Sequence, residues 1–355
     1  MSHGRPTLAD VATAAGVSVS TASLAFSGAG PIAAATRERV HAAAAELGYS
    51  GPNPLGRSLR SGRSGIVAVI IGDQLRRSFR DPVSIQVLDG LVGTLGTMGL
   101  GVLLVPATAS EDGILELDPL LINAPMDVGV LIWGAHRGDP VLAALQRRGV
   151  PVVIGEGPEV DGVPLVGIKD RQGSAELVRH LVSLGHTRIA TVTLPFAHPR
   201  RAGVVGPERM ALLDWTPTRH RLAGMADAGV TPTVIVEAAA SLVEEGRAAG
   251  RTVLEVDEPP TCIVAQSDLL AAGVLLAARE LGMDVPGDVS VAGFDGLDLP
   301  WLAPDVLTTV SQPLAAKGEA LGNAVRQLIA GEKPGPVFLD VEMRIGTTTG
   351  PPAGG

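Results

Sequence analysis

From residue 66 onward the chain alternates almost uniformly apolar runs of strand length with amphipathic segments of helical length. The runs cover residues 66–71, 101–105, 128–133, 151–154, 163–168, 188–193, 233–236, 261–265, 289–294 and 307–310. A strand with one wet face would carry a polar residue at every second position. These runs do not, which is the mark of parallel strands covered on both faces. Helical patterns at 140–148, 173–184, 239–249, 268–281 and 314–330 fall between them. Strands alternating with helices specify an α/β protein, and about ten strands point to two doubly wound parallel sheets rather than one.

The first fifty residues obey a different period. Leu8, Val11, Ala12 and Ala15 recur at i, i+3, i+4 and i+7, one apolar face of a short helix. Thr7 can cap that helix, and Asp10 three residues later completes a capping-box-like pair. Gly16 supplies the tight turn, because a residue without Cβ enters left-handed conformations cheaply. Ser18 then caps a second helix whose Ala22, Ala25 and Phe26 face the first. Val40, Ala43, Ala44 and Leu47 give a third period, closed by Gly48. Two short helices joined at a glycine form a helix-turn-helix, whose second member can enter the DNA major groove. The same geometry occurs in small bundles that bind no DNA, and composition does not separate the two.

The continuation does. Thr36-Arg37-Glu38-Arg39-Val40, Glu46-Leu47-Gly48-Tyr49, Pro52-Asn53-Pro54-Leu55 and Arg57-Ser58-Leu59-Arg60, in this order, resemble the headpiece and hinge of the LacI/GalR family of bacterial transcription regulators. The resemblance runs on through Val166-Gly167-Ile168-Lys169-Asp170, Leu184-Gly185-His186-Thr187-Arg188-Ile189-Ala190, Val285-Pro286-Gly287-Asp288-Val289-Ser290-Val291-Ala292-Gly293-Phe294-Asp295 and Leu307-Thr308-Thr309-Val310-Ser311-Gln312-Pro313. It implies a three-helix headpiece over 1–50, a hinge helix over 51–64, and an effector-binding, dimerising body over 65–350 of periplasmic-binding-protein-like fold. In that body the N-subdomain would take 65–169 and 312–334, and the C-subdomain 170–311 and 335–350. Residues 351–355 would form a disordered Gly/Pro-rich tail.

The function so implied is a sequence-specific transcription regulator, usually a repressor. As a homodimer it would bind a pseudo-palindromic double-stranded operator, with operator affinity set allosterically by a small ligand. Thr7, Ser18, Val19, Ser20, Thr21, Ser23 and Leu24 would meet DNA from the headpiece, and Asn53, Arg57, Leu59 and Arg60 from the hinge. Leu59 matches the residue that wedges into a minor-groove step in such proteins. The plainer reading of 51–63 is a flexible basic tether, since a short helix containing Gly56 is marginal alone.

Ligands of open α/β sheets bind beyond the carboxyl ends of the strands. Those ends bring forward Asp73, Trp133, Glu156, Asp268, Phe294 and Asp295. Arg221 joins them through the family resemblance. Acidic acceptors with one guanidinium and aromatic faces suit a polyhydroxylated ligand, a sugar or a nucleoside-like molecule. Asp268 and Asp295 can equally be explained as helix or loop caps. The chain departs from the family at Leu24, where an Arg that reads guanine is usual, and at Ala33, where a capping Ser is common. The segment 76–82 also differs from the commoner loop after the first strand.

The formal net charge of −9 conceals an asymmetry. Residues 1–63 hold six arginines against Asp10, Glu38 and Glu46, a net of +3, and the rest carries −12. Phosphate neutralisation needs only the local basic patch, so the acidic bulk does not exclude DNA. Cys262 is the only cysteine, which rules out an intramolecular disulfide and a thiolate-cluster metal site. His180 and His186 flank a helix end and read as surface or capping residues, so no metal or cofactor is expected. Gly93, Gly96, Gly99 and Gly101 precede a strand instead of following one, which fails the context for phosphate cradling. No nucleophile–base pair appears, and no enzyme is expected. With no run of eighteen apolar residues and no signal-peptide h-region, the expected place is the cytoplasm, away from membranes. The alternative is a solute-binding protein of the same body fold, against which residues 1–63 argue.

Overall fold

The structure is a computed structural model that describes residues 6–27, 30–51, 62–72, 74–106, 108–109, 115–133 and 138–353. The chain divides into two compact units, residues 1–65 and 66–355. In the first, α1 (Leu8–Ala14), α2 (Val19–Ser27) and α3 (Ala34–Leu47) surround one small core. Thr7 caps α1 in a complete capping box with Asp10. Gly16 turns the chain at φ 63°, and the Ser18 hydroxyl accepts the Thr21 N–H at 3.1 Å to start α2. Val11, Ala12, Ala22, Ala25, Val40, Ala43 and Ala44 are buried together, and Phe26 meets His41 and Tyr49 edge-on. Alanine at most of these positions lets three short helices approach closely. Ala33 begins α3 without a side-chain cap, and Gly48 ends it at φ 66°. Leu47, expected on the core face, is exposed beside that terminus.

The second unit contains two sheets. The first has β1 (Ile66–Ile71), β2 (Gly101–Pro106), β5 (Val128–Ile132), β6 (Val152–Gly155), β7 (Leu165–Ile168) and β14 (Val337–Leu339). Their order is β14-β7-β6-β5-β1-β2 and all pairings are parallel. Successive residues of β1 go to opposite faces. Val67, Val69 and Ile71 pack on α5 (Pro82–Thr97) and α13 (Leu314–Ile329), whereas Ala68 and Ile70 pack with Leu142 and Leu145 of α7 (Pro140–Arg147). Each fully buried Val, Leu or Ile contributes roughly 1.5–3 kcal/mol relative to exposure, so both faces of the sheet drive folding. Helices α5 and α13 meet through Gly90 and Gly318. A Cβ at Gly318 would collide with the Val87 carbonyl, and one at Gly90 with that of Ala315.

The second sheet has the order β15-β13-β12-β11-β8-β10-β9. Its strands β8 (Ile189–Thr193), β10 (Ile235–Glu237), β11 (Cys262–Ala265), β12 (Ser290–Asp295) and β13 (Thr308–Ser311) run parallel. The edges β9 (Gly203–Val204) and β15 (Glu342–Arg344) pair antiparallel. Helices α11 (Val243–Leu254) and α12 (Asp268–Glu280) cover one face, while α8 (Asp170–Ser183) and α10 (Thr216–Asp227) cover the other. The remaining elements are short: α4 (Leu75–Ser78), α6 (Pro119–Asn123), α9 (Pro207–Met210), a 3-10 turn at Pro300–Leu302 and the antiparallel pair β3 (Thr108–Ala109) with β4 (Leu115–Glu116).

The α/β architecture with two doubly wound lobes is as the sequence specified. One boundary differs. The last crossover between lobes, expected near 334, lies after Leu339, because Val337–Leu339 adds a parallel edge strand beside β7. Gly350, the last residue before the expected tail, accepts from His186 Nε2 at 2.9 Å and donates to Ser290 Oγ at 3.0 Å. His186 is therefore a buried clamp rather than a surface residue, and burial lowers its pKa. Cys262 is fully buried, and burial pushes its thiol pKa up. Among the described residues no single helix is long and apolar enough to cross a membrane.

Candidate functional site

The headpiece presents α2 with its apolar side inward and its opposite side open. Val19 is 50% and Leu24 36% exposed, unusual values for large apolar side chains on so small a core. Ser20 is exposed beside them, and Thr21 and Ser23 are half-buried. Ser18 Oγ lies 2.8 Å from both Ser20 Oγ and Thr21 Oγ1, so the N-terminal turn holds a small hydroxyl cluster. Thr7 is committed to its capping box with Asp10. The hinge candidates Asn53, Arg57, Leu59 and Arg60 lie outside the described residues, as does Asp73.

In the second unit a cavity opens between the lobes, at the carboxyl ends of both sheets. Trp133, Glu156, Arg221 and Asp295, four of the seven expected ligand contacts, line it. Trp133 follows β5, Glu156 follows β6 and Asp295 ends β12. Their φ angles of 54°, 54° and 132° make them the non-glycine residues of positive φ among those described. Such conformations cost about 1–3 kcal/mol each and persist where surrounding contacts hold them.

Those contacts form one buried polar chain. Trp133 Nε1 donates to Glu156 Oε2 at 2.5 Å, and Lys317 Nζ donates to the same oxygen at 2.9 Å. Lys317 also donates to Gln312 Oε1 at 2.5 Å, and Gln312 Nε2 donates to Asp295 Oδ1 at 2.7 Å. The chain thus crosses from the first lobe to the second through the Gln312 crossover. Burial works to raise the Glu156 pKa, but the charges of Lys317 and Arg221 together with the hydrogen bonds from Lys317 and Trp133 outweigh it, and the net shift is downward. Asp295 shifts well upward, first through burial and then through the neighbouring charges of Asp268 and Asp81, with Arg221 opposing. Glu156 is consequently an acceptor, whereas Asp295 retains a proton to higher pH than an ordinary carboxyl and can donate.

Arg221 sits with its guanidinium 3.8 Å above the Phe294 ring and donates through Nη1 to the Gln266 carbonyl. Its Nε is buried without a hydrogen-bond partner among the described residues. Two expected contacts do not reach the cavity. Phe294 is 1% exposed and supports Arg221 from the core side. Asp268 turns inward, accepting from Thr309 Oγ1 at 2.6 Å and from the Leu297 N–H at 2.7 Å. Burial raises its pKa to about 6.

Sequence reasoning missed Lys317, Gln312, Arg200 and Trp215. Lys317 left a trace, a lysine on the apolar face between Leu314 and Leu321. The segment 76–82, noted as unusual, contributes Arg77, Ser78 and Asp81 to the wall, with Asp81 capping α5. No group of three or more His, Cys, Asp or Glu residues among those described could hold a metal ion.

Comparison with known proteins agrees with both units. Residues 7–53 match the lacI family of bacterial regulatory proteins, and residues 178–349 match the periplasmic binding protein-like domain. An HTH-type transcriptional regulator of Mycobacterium tuberculosis is 33% identical over 98% of both chains. The regulator IpsA of Corynebacterium glutamicum is 32% identical, over 97% of this chain and 98% of its own. The chain belongs to the LacI family. Among solved structures, the complex of the transcriptional regulator CelR with cellobiose superposes at TM-score 0.67, with 26% identity over 97% of this chain and 100% of the other. As a LacI-family member the chain is a DNA-binding transcriptional regulator whose body has the ligand-binding fold. The solute-binding alternative is not favoured, because the regulator headpiece is present and the full-length relatives are regulators.

Proposed function

We propose that the protein regulates transcription from the cytoplasm as a homodimer, reading a pseudo-palindromic operator with Val19, Ser20, Ser23 and Leu24 of α2. A sugar in the cleft between the lobes would control it. Direct base contact would lean on hydroxyls and on apolar contact with thymine methyls, since Leu24 cannot make the bidentate guanine contact of an Arg. Asn53, Arg57, Leu59 and Arg60 would add backbone and minor-groove contacts, with Leu59 as the wedge. Pairing of two copies is supported by apolar residues exposed on α5, Ile85 at 48% and Val92 at 46%.

The observation that carries the sugar reading is that two carboxyls, Glu156 and Asp295, line one cavity together with Arg221 and Trp133. One acceptor, one potential donor and a guanidinium match hydroxyls that both donate and accept, and Trp133 offers a ring face. The cellobiose complex of CelR is consistent with this class. Arg221, Glu156, Trp133 and Asp295 would recognise the effector, with Phe294 and Asp268 fixing their positions. A thermal-shift screen of neutral mono- and disaccharides, nucleosides and amino acids tests this, since a ligand of the native state raises Tm by mass action. A neutral sugar is expected to raise Tm, and the shift should vanish in Arg221→Met. A response confined to amino acids would refute the sugar reading.

A further inference from the structure

We propose that Arg200 latches the two lobes across the mouth of the cavity and shapes the cavity wall, making it a positioning and specificity-determining residue for the ligand. The inference rests on the reading of the cleft as the ligand site. Arg200 lies in the stretch 194–215 between β8 and α10, in the second lobe. Its Nη1 donates to the Ala239 carbonyl of its own lobe at 3.3 Å. Its Nη2 donates across the cleft to the carbonyl of Gly72, directly after β1 of the first lobe, at 3.0 Å. The guanidinium also lies 4.8 Å from the centre of the Trp215 ring, and both side chains line the cavity. One planar group therefore joins two lobes and backs an aromatic wall.

The stretch that carries Arg200 is fixed from behind. Arg209 forms a two-pronged ion pair with Glu237 of β10, both bonds 2.6 Å, and Glu237 is 2% exposed. Glu237 Oε1 accepts the Phe196 N–H at 2.8 Å, and Arg209 Nη2 donates to the carbonyls of Ala197 and Pro199 on the approach to Arg200. The fully buried Phe196 closes the stretch on itself, its carbonyl accepting from the N–H groups of Asp214 and Trp215. Arg200 thus reaches across from a rigid support. An ion pair that also joins the two lobes, Arg80 with Glu244 at 2.7 Å, has both side chains more than half exposed and is a weak tie by comparison. Lysine is a poor replacement for Arg200, because its compact ammonium lacks the planar fork that spreads two N–H donors toward separate carbonyls beside an indole.

Nitroxide labels at Gln146→Cys in the first lobe and Asp257→Cys in the second, in full-length protein diluted into unlabelled chains, read the lobe separation by pulsed electron resonance. Cys262 is buried and stays unlabelled. Arg200→Ala is expected to lengthen and broaden the distance distribution at an almost unchanged Tm, and Arg200→Lys to fall on the Ala side of wild type. Arg80→Ala should shift it less. An unchanged distribution in Arg200→Ala, or a wild-type distribution in Arg200→Lys, would overturn the latch. Should the alanine variant unfold, the lysine variant decides alone. Neither sugar nor DNA enters the measurement, so a failed ligand screen and a failed latch are separate results.

Discussion

Glu156 and Asp295 occupy equivalent places in the two lobes, each at the carboxyl end of a central parallel strand, each held at positive φ, each facing the same cavity. Their surroundings differ. Glu156 has Lys317 on one oxygen and is driven toward the ionised form, whereas Asp295 accepts from the amide of Gln312 and the backbone N–H of Asp268 and feels the charge of the buried Asp268 carboxyl. One architecture used twice therefore presents an acceptor from one side and a protonatable group from the other. The asymmetry comes from partners supplied by distant sequence rather than from the strands themselves.

Removing the cation gives the largest expected effect. Lys317→Met removes the ammonium in contact with buried Glu156 and leaves the indole of Trp133 and the more distant charge of Arg221, which should cost about 3–5 kcal/mol in denaturant unfolding. Glu156→Gln in the same chain should recover much of that loss. If Lys317→Met alone is neutral, the ion pair does not govern the first lobe and the comparison fails.

The second lobe should reveal itself through pH. The Asp268 carboxyl has its pKa raised from 3.8 to about 6 by burial. Where the folded-state pKa is the higher, the unfolded chain binds fewer protons across that window, so stability falls as pH rises from about 4 to about 6. A shift of this size corresponds to about 3 kcal/mol, at 1.36 kcal/mol per unit. Asp268→Asn should flatten the fall. Glu156 contributes with the opposite sign, its stabilisation being lost as pH drops through its lowered pKa. Unfolding free energies of wild type and Asp268→Asn across pH 4–7 check this, and parallel curves would remove the proposed difference between lobes.

A smaller effect sharpens the first-lobe side. Trp133→Phe deletes the indole donor to Glu156 while Lys317 remains, and should cost about 1 kcal/mol. A loss as large as that of Lys317→Met would mean that the indole, not the ammonium, holds the carboxylate.

Much of this was legible in the sequence because burial on both faces writes itself into consecutive residues, as in 66–71 and 128–132, where every position is apolar. Edge strands leave no such record. Val337–Leu339 is a short, half-exposed segment after a Lys-Pro-Gly-Pro turn, and its place beside β7 depends on a distant partner. Strand ends brought forward Trp133, Glu156 and Asp295, and these line the cavity. They could not tell that Asp268 would turn away, since that depends on Thr309 and on the Leu297 amide. Arg200 and Trp215 had no period to announce them, because the stretch that carries them holds only the two-residue β9 and the one-turn α9 and is set by the Arg209–Glu237 pair.

The central claim is that the cleft governs what the headpiece does, and operator affinity with and without ligand tests it most directly. Fluorescence anisotropy on the DNA upstream of a regulated gene, repeated over a salt series, should give a sequence-preferring complex that weakens with salt. The sugar giving the largest thermal shift should change that affinity at least fivefold, a usual allosteric coupling, in wild type and not in Arg221→Met. DNA binding of unchanged strength with the cleft filled or empty would contradict the account.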